Sequence, residues 1–345
     1  MSAVTAPPAR SRLAGLGGLR ALMRDTPVVP LIGLLIILVV VFELLRPGFV
    51  SINWAATMVR LAVPLVILAA CQTLTMLTGG IDLSVAAVAS MTGFLVATLV
   101  GSMGLGPAIV IALSCAALAG LVNGIGVGVF RVHPLIMTLG MSLIVLGLAN
   151  VWQVQRVQTG AGVPTEFRTL GAGNVAAFLP DGVVELVALT RFVPNSLLVF
   201  VPLAVVILLA LHRSGYGRLL YAIGDNPVAA RLSGVKAWQV LIVLYIISGL
   251  LAGIGGFVYA GLNNTASVTL VNSQLLPSVA AAVIGGTSIL GGRGGYGGTI
   301  VGALILTVLS ALLSALGFRE ADRLILFGSI IVLFTAAYAR ITSDT

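Results

Sequence analysis

The sequence is poor in charge: only 8% of its 345 residues are Asp, Glu, Lys or Arg, against roughly a quarter in soluble domains. Hydrophobic residues make up 59% of the chain, and the mean hydropathy is +1.16. This balance excludes a soluble enzyme and indicates an integral membrane protein. The formal net charge of +8 therefore reports orientation in the membrane first. No basic stripe interleaved with aromatic residues indicates a nucleic-acid partner.

Lysine and cysteine are also scarce. The single lysine, Lys236, follows no phosphate-binding loop, so the chain is not predicted to hydrolyse ATP itself. The two cysteines, Cys71 and Cys115, lie in apolar runs and are expected to be buried hydrophobic side chains. No nucleophile–base pair, zinc motif or run of buried carboxylates is recognisable. We therefore predict no catalytic residue, no metal site and no proton relay, and any energy for uphill transport must come from elsewhere.

Long apolar runs are what the sequence has in abundance. They predict an all-α polytopic membrane protein with about ten transmembrane helices, at residues 28–45, 55–78, 82–102, 106–129, 134–153, 194–212, 239–261, 276–290, 298–317 and 322–340. The piece at 276–290 is expected to be short or re-entrant. The predicted membrane domain, 28–340, is flanked by an N-terminal tail at 1–27 and a C-terminal tail at 341–345.

The basic residues decide the predicted orientation. With both termini in the cytoplasm, eleven basic residues lie inside and six outside, while Arg60 lies within a span. An excess of positive charge on the cytoplasmic side favours this arrangement. It makes 154–193 a periplasmic loop and 213–236 a cytoplasmic loop.

The cytoplasmic loop carries the signals of a short capped helix. Asp225 or Asn226 can accept from the first free N–H groups, Pro227 fits the first helical position, and Gly234 supplies a left-handed stop. So short a helix is not stable alone in water, so the membrane body or a partner protein must hold it. Its small residues, with Ala230 among them, are expected to form a docking face. The alternative is a surface turn between two spans.

Two glycine breaks interrupt the apolar runs, one near each end of the chain. Gly79 and Gly80 join the second and third spans, and Gly285 and Gly286 lie in the glycine-rich stretch 281–298. Glycine-interrupted segments in both halves of a transporter often flank its translocation path. These four glycines are therefore candidates for the path or its gate.

Polar residues in or beside the spans are further candidates for the path. Asp82 and Ser84 follow the first glycine break, and a carboxylate at a span edge is costly unless it is satisfied. Asp82 either caps the next helix or takes part in gating, and both interpretations stay open. The other candidates, each with a hydrogen bond to a neighbouring helix as its alternative, are Gln72, Thr75, Asn123 and Thr138.

Four stretches closely resemble the ribose-type permeases of bacterial ABC sugar importers, the inner-membrane components of binding-protein-dependent transport systems in the second carbohydrate-uptake class. They are TGGIDLSVAAVASMTG (78–93), HPLIMTLGMSLIVLGLAN (133–150), GRLLYAIGDNPVAARLSGV (217–235) and AAVIGGTSILGGRGGYGGTIVGALI (281–305). The resemblance covers nearly the whole membrane region in the expected order.

The resemblance implies a multi-pass protein of the bacterial inner membrane with several partners. A separate ABC ATPase, of the tandem double-cassette kind, would hydrolyse ATP with Mg, while this chain binds no cofactor. A periplasmic or lipid-anchored sugar-binding protein would deliver the solute, and a second permease copy or paralogue would complete the path. The residues that the resemblance assigns to ATPase coupling are Gly217, Arg218, Ala222, Gly224, Asn226, Ala229, Ala230, Arg231, Ser233 and Gly234.

Other solutes and another class of transporter remain open from the sequence. The expected cargo is ribose or a related pentose or hexose. The same class would also fit a nucleoside, an autoinducer-like furanosyl compound or a branched-chain amino acid. A secondary transporter driven by an ion gradient would need carboxylates at mid-depth, and Asp82 at a span edge is the only near candidate.

Overall fold

The structure is a computed structural model that describes residues 28–156, 162–178 and 188–343. The predicted N-terminal tail, 1–27, and the last two residues lie outside the described residues, as do parts of the predicted loop 154–193.

The described ranges form thirteen α-helices and contain no β-strand beyond one isolated bridge. The helices are α1 (Val28–Leu45), α2 (Ile52–Leu77), α3 (Val85–Met103), α4 (Leu105–Gly128), α5 (Pro134–Arg156), α6 (Thr165–Ala172), α7 (Ser196–Arg213), α8 (Gly215–Asp225), α9 (Pro227–Leu232), α10 (Ala237–Asn263), α11 (Leu275–Ile284), α12 (Tyr296–Ala315) and α13 (Glu320–Ser343). The prediction of an all-α protein is confirmed.

Eight helices of the described chain are long and apolar enough to cross a membrane: α1 to α5, α7, α10 and α12. The prediction of a polytopic membrane protein is confirmed by them. Helix α13 is 24 residues long and contains the last predicted span, 322–340. Eight of the 18 residues of α1 are exposed and only Phe42 is buried, so α1 lies on the outside of the bundle.

Helix α10 forms the centre of the bundle and packs against α2, α3, α4 and α6. Its close approach to α4 depends on small residues. A Cβ on Gly124 would lie 2.6 Å from the Cα of Ile242, and a Cβ on Gly249 would overlap the carbonyl oxygen of Ala116. The glycine spacings of these two helices thus serve helix packing, as membrane helices commonly use them.

Helix α6, from the predicted periplasmic loop, is packed onto the outer end of α10. The rings of Phe167 and Phe257 stack with centroids 5.0 Å apart, and Gly171 lies against the backbone of Gly261. Arg60 of α2 donates to the side chain of Asn174, just beyond α6. This part of the loop is therefore fixed to the bundle.

The segment predicted to be short or re-entrant contains α11, which has only ten residues. Such a helix is about 15 Å long, half the thickness of the hydrocarbon core. The chain before it enters the interior, because the backbone N–H of Val271 donates to Ser90 Oγ of α3 at 2.9 Å. Helix α11 is therefore a half-helix that begins inside the bundle.

Candidate functional site

Asp82 lies at the centre of a polar cluster buried inside the bundle. Its side chain is 2% exposed. One carboxylate oxygen accepts from the backbone N–H and the hydroxyl of Ser84, at 3.0 and 2.6 Å, and the other accepts from Ser248 Oγ of α10 at 2.7 Å. Among the described residues it has no salt-bridge partner. The carboxylate therefore fastens the turn between α2 and α3 to α10 through neutral donors.

Three further predicted path residues join this cluster. Gln72 exchanges two hydrogen bonds with the backbone of Asp82, at 2.8 and 3.3 Å. Asn123 of α4 donates to Ser84 Oγ at 2.9 Å, and Thr138 of α5 accepts from the backbone N–H of residue 83 at 3.0 Å. The cluster thus joins α2, α4, α5 and α10 around one turn. Thr75, also predicted, bonds instead to backbone oxygens of its own helix.

We expect the Asp82 cluster to need an acceptor at this position and not a charge. Asp82→Leu would leave two hydroxyl donors and one N–H without an acceptor, which typically costs about 1–3 kcal/mol for each buried group. Asp82→Asn keeps one acceptor oxygen, and the Ser248 hydroxyl can rotate to accept from the amide. Thermal unfolding of the purified protein should therefore show a large loss for leucine and a small one for asparagine. If the Asp82→Asn variant folds stably but no longer takes up solute, transport requires the negative charge of Asp82.

The first predicted glycine break, the glycine-rich stretch after the second and the cytoplasmic helix α8 meet at one junction. The backbone N–H of Gly292 donates to the carbonyl of Leu77, the last residue of α2, at 3.0 Å. A Cβ on Gly224, near the end of α8, would overlap the same carbonyl and lie 2.5 Å from the Gly292 nitrogen. A Cβ on Gly79 would lie 3.4 Å from the carbonyl of Leu290. We call this contact between α2, α8 and residues 290–294 the glycine junction.

Tyr221 of α8 reinforces the glycine junction. Its hydroxyl donates to the carbonyl of Gly294 at 2.8 Å. Burial raises the pKa of this phenol, so the hydroxyl keeps its proton and remains a donor. The second predicted break is equally tight, since a Cβ on Gly285 would lie 2.5 Å from the carbonyl carbon of Gly298. Helix α8 therefore contacts the end of α2, just before the first glycine break, and residues 292–294, which follow the second.

The short capped helix predicted in the cytoplasmic loop is present as α9. Asn226 is its cap, accepting from the N–H groups of Val228 and Ala229 at 3.0 and 2.9 Å, and Pro227 occupies the first turn. Gly234 ends it at a φ of +85°. The alternative cap, Asp225, is the last residue of α8.

The prediction that Ala230 lies on an exposed docking face is wrong. Its side chain is 6% exposed, because this side of α9 packs onto the bundle. The opposite side presents Val228 and Leu232, which are 62% and 85% exposed. So much apolar surface beyond the ends of the spans is typical of a contact with a partner.

The other residues predicted for ATPase coupling differ in their surroundings. Arg218 and Ala222 on α8 are exposed, as are Ala229, Arg231 and Ser233 on or beside α9. Gly217 is buried, since a Cβ there would lie 2.5 Å from the carbonyl oxygen of Ala210 on α7. Their coupling role stays a prediction, as does the path role of the buried cluster.

Sequence reasoning missed several residues of these sites. Ser248 lies in an apolar run and carries no motif of a functional site. Leu77 and Tyr221 were not predicted as site residues, because their partners Gly292 and Gly294 are far away in the chain. The sequence signal that could have found Ser248 is its place beside a glycine in a tightly packed span.

The bundle also contains a cavity of about 1060 Å³ at the end opposite the glycine junction. It lies between α1, α2, α10, α11, α12 and α13. None of the twenty residues predicted for the path or for coupling borders it.

A buried polar cluster, a half-helix that ends at a glycine break and a short helix with an exposed apolar side beyond the spans define the class: a polytopic permease subunit. The model of the family described as branched-chain amino acid transport system / permease component matches residues 54–335. The chain belongs to this family, and it is a multi-pass protein of the bacterial inner membrane. Permeases of this kind work with a separate ATPase and a binding protein.

Characterised relatives match almost the whole chain. It is 34% identical over 306 residues to the ribose import permease protein RbsC of Bacillus subtilis, covering 88% of this chain and 90% of the relative. It is 33% identical over 303 residues to RbsC of Escherichia coli K12, covering 87% and 89%. The fructose import permease protein FrcC of Rhizobium meliloti is 32% identical over 318 residues, covering 89% and 84%. No solved structure matches the chain significantly.

Proposed function

We propose that this chain is the membrane-spanning permease subunit of an ATP-driven, binding-protein-dependent importer of a monosaccharide, such as ribose or a related pentose or hexose. The observation that carries the coupling role is α9, whose exposed apolar side faces away from the bundle while its other side packs onto it. Relatives named for ribose and fructose import support the choice of cargo.

The partner subunit supplies the chemistry in this proposal. A tandem double-cassette ATPase hydrolyses ATP with Mg, and this chain binds no cofactor and has no ATPase motif of its own. A periplasmic or lipid-anchored protein delivers the sugar to the outer face. A second permease copy or paralogue completes the translocation path.

The contacts of the described residues suggest how a movement of α9 would be transmitted to the membrane-spanning helices. When the ATPase closes on its nucleotide, it displaces α9 and the adjoining α8. Helix α8 then acts through Gly224 and Tyr221 on the glycine junction, which holds the end of α2 and the loop after α11. Half-helix α11 and the turn that carries Asp82 are the elements placed to respond. Because Ser248 of α10 donates to the Asp82 carboxylate, the turn and α10 should move as one unit.

A reconstitution experiment tests the proposed function. We expect the chain alone, in vesicles with an imposed ion gradient, to accumulate no sugar. Adding its ATPase and binding protein should give uptake of ribose or fructose that requires ATP and survives an uncoupler. Leucine and a nucleoside serve as competing cargoes in the same assay. Gradient-dependent accumulation by the chain alone would contradict the proposal, and preferred uptake of leucine would contradict its choice of cargo.

A further inference from the structure

The cavity opposite the glycine junction has the composition of a binding site for a small molecule. It follows α2 from Ser51 to Leu65, a distance of about 20 Å along the helix. Its volume, about 1060 Å³, is just above the range of about 300–1,000 Å³ that is common for small-molecule sites. The predicted orientation places its outer end at the periplasmic face.

One wall of the cavity is aromatic and firmly held. Phe42 packs against Phe49 and Trp54, with ring centroids 5.8 and 5.2 Å away. The loop that carries Phe49 is fixed because the Glu43 carboxylate accepts from the backbone N–H groups of Gly48 and Val50, at 2.7 and 2.9 Å. The aromatic faces are therefore fixed in place before any ligand binds.

The facing wall carries hydroxyl groups and one guanidinium. Thr307, Ser310 and Ser314 lie at helical spacing on one side of α12. Arg323 of α13 donates to Ser314 Oγ at 3.0 Å and to Ser310 Oγ at 3.4 Å. These bonds fix the guanidinium beside the cavity.

Two buried donors that border the cavity lack an acceptor among the described residues: Nε1 of Trp54 and Nε of Arg323. Buried donors normally have a partner, so each indicates an acceptor supplied from the cavity. The lining is electrically balanced, since its charged residues are Arg323 and Glu320. An anion therefore has no net attraction to it, whereas a neutral molecule with many hydroxyl groups matches both the donors and the aromatic faces.

We propose that this cavity is a binding site, within the permease itself, for a neutral polyhydroxylated solute of monosaccharide size. The solute lies against Phe49 and Trp54 and accepts hydrogen bonds from Trp54 Nε1 and Arg323 Nε. The inference rests on the proposed function for its choice of sugar. It adds to that function a location for the sugar within this chain. The cavity floor includes Gln274 and Pro277, at the start of α11. An occupied cavity thus contacts the half-helix whose other end adjoins the glycine junction.

Direct binding of radiolabelled ribose and fructose tests this site. The measurement uses the permease with its ATPase in nanodiscs, without the binding protein. We expect saturable binding by the wild type. Arg323→Gln should raise the Kd roughly tenfold or more, because a hydrogen bond from a charged donor is lost. Ala311→Trp, which fills the cavity from α12, should abolish binding. Ile325→Trp is the matched control, since Ile325 is 69% exposed and does not border the cavity.

The outcomes separate this inference from the proposed function. Absence of saturable binding to the wild type overturns the site, as does binding that neither Arg323→Gln nor Ala311→Trp weakens. The cavity could also prove to be a lipid site. In that case the wild type would retain a phospholipid that sugar does not displace, and Ala311→Trp would release this lipid. That result would also overturn the proposed sugar site. ATP-driven uptake in the full complex decides the proposed function independently. If the complex imports sugar but the permease does not bind it in this cavity, the proposed function stands and the proposed site is wrong. If the permease binds sugar in this cavity but the complex does not import it, the site stands and the proposed function is wrong.

Discussion

Replacing Gly224 with alanine is expected to stop most ATP-driven uptake while the chain still enters the membrane and folds. The added Cβ would overlap the carbonyl oxygen of Leu77 and crowd the nitrogen of Gly292. These are backbone atoms, so no side chain can rotate away, and α8 must separate from the glycine junction. Overpacking of this kind typically costs about 1–3 kcal/mol, which would weaken the contact between α8 and the bundle by roughly 5- to 150-fold. Uptake by the reconstituted complex measures the loss.

Gly215→Ala provides the matched control for this prediction. Gly215 is the first residue of the same helix, and the nearest atom to an added Cβ there is a terminal nitrogen of Arg218 at 3.8 Å. The same methyl group should therefore be tolerated. Normal uptake by Gly224→Ala would show that the glycine junction carries no coupling. An equal loss in Gly215→Ala would assign the effect to α8 as a whole.

Much of the fold could be predicted from the sequence because hydrophobic runs determine where membrane helices lie. Helix α1 has the predicted bounds, and α7 begins two residues after its predicted start and ends one residue after its predicted end. The cap at Asn226 and the stop at Gly234 were also predictable, because capping depends on neighbouring residues in the chain. Local signals of this kind need no knowledge of the tertiary structure.

The contacts between distant segments could not be predicted in the same way. Ala230 and Leu232 are two residues apart, and composition alone gave no means of telling which one faces the bundle. Only packing buries the alanine and exposes the leucine. Likewise, the glycine-rich stretch 281–298 indicates that its backbone packs closely against another segment. The sequence does not show that this segment contains Gly224, which lies in the cytoplasmic loop. The cavity combines residues from six helices, most of them unremarkable in sequence.

The contacts of the polar candidate residues could not be predicted from the sequence either. Gln72, Asn123 and Thr138 were each expected either to line a path or to bond to a neighbouring helix, and in the structure all three bond to residues 82–84 of the turn between α2 and α3. Their convergence on a single turn could not be predicted, because it depends on where the chain re-enters the bundle after Gly80. Burial in this structure leaves their part in the transport cycle as a prediction.

Leu232→Asp is expected to uncouple the importer without unfolding the permease. Leu232 is 85% exposed, so a carboxylate there remains in water and should change the stability of the chain by less than about 0.5 kcal/mol. Against an apolar pocket of the ATPase, the same carboxylate would be buried without a partner. Such a change at the centre of an interface commonly costs about 2 kcal/mol or more, which is roughly a thirtyfold loss of affinity. Co-purification of the ATPase and ATP-driven uptake should therefore both fall.

Two further variants decide whether this effect belongs to docking. Val154→Asp makes the same kind of change at an equally exposed apolar residue, 83% accessible, at the opposite end of the bundle, so the ATPase should still co-purify. Ala230→Asp places a charge where the side chain is 6% exposed, so it should lower the thermal stability of the permease itself. If Leu232→Asp retains both the ATPase and normal uptake, the exposed side of α9 is not the docking face. Because the buried side of α9 already packs onto the bundle, coupling would then have to enter the chain through another element of its cytoplasmic end.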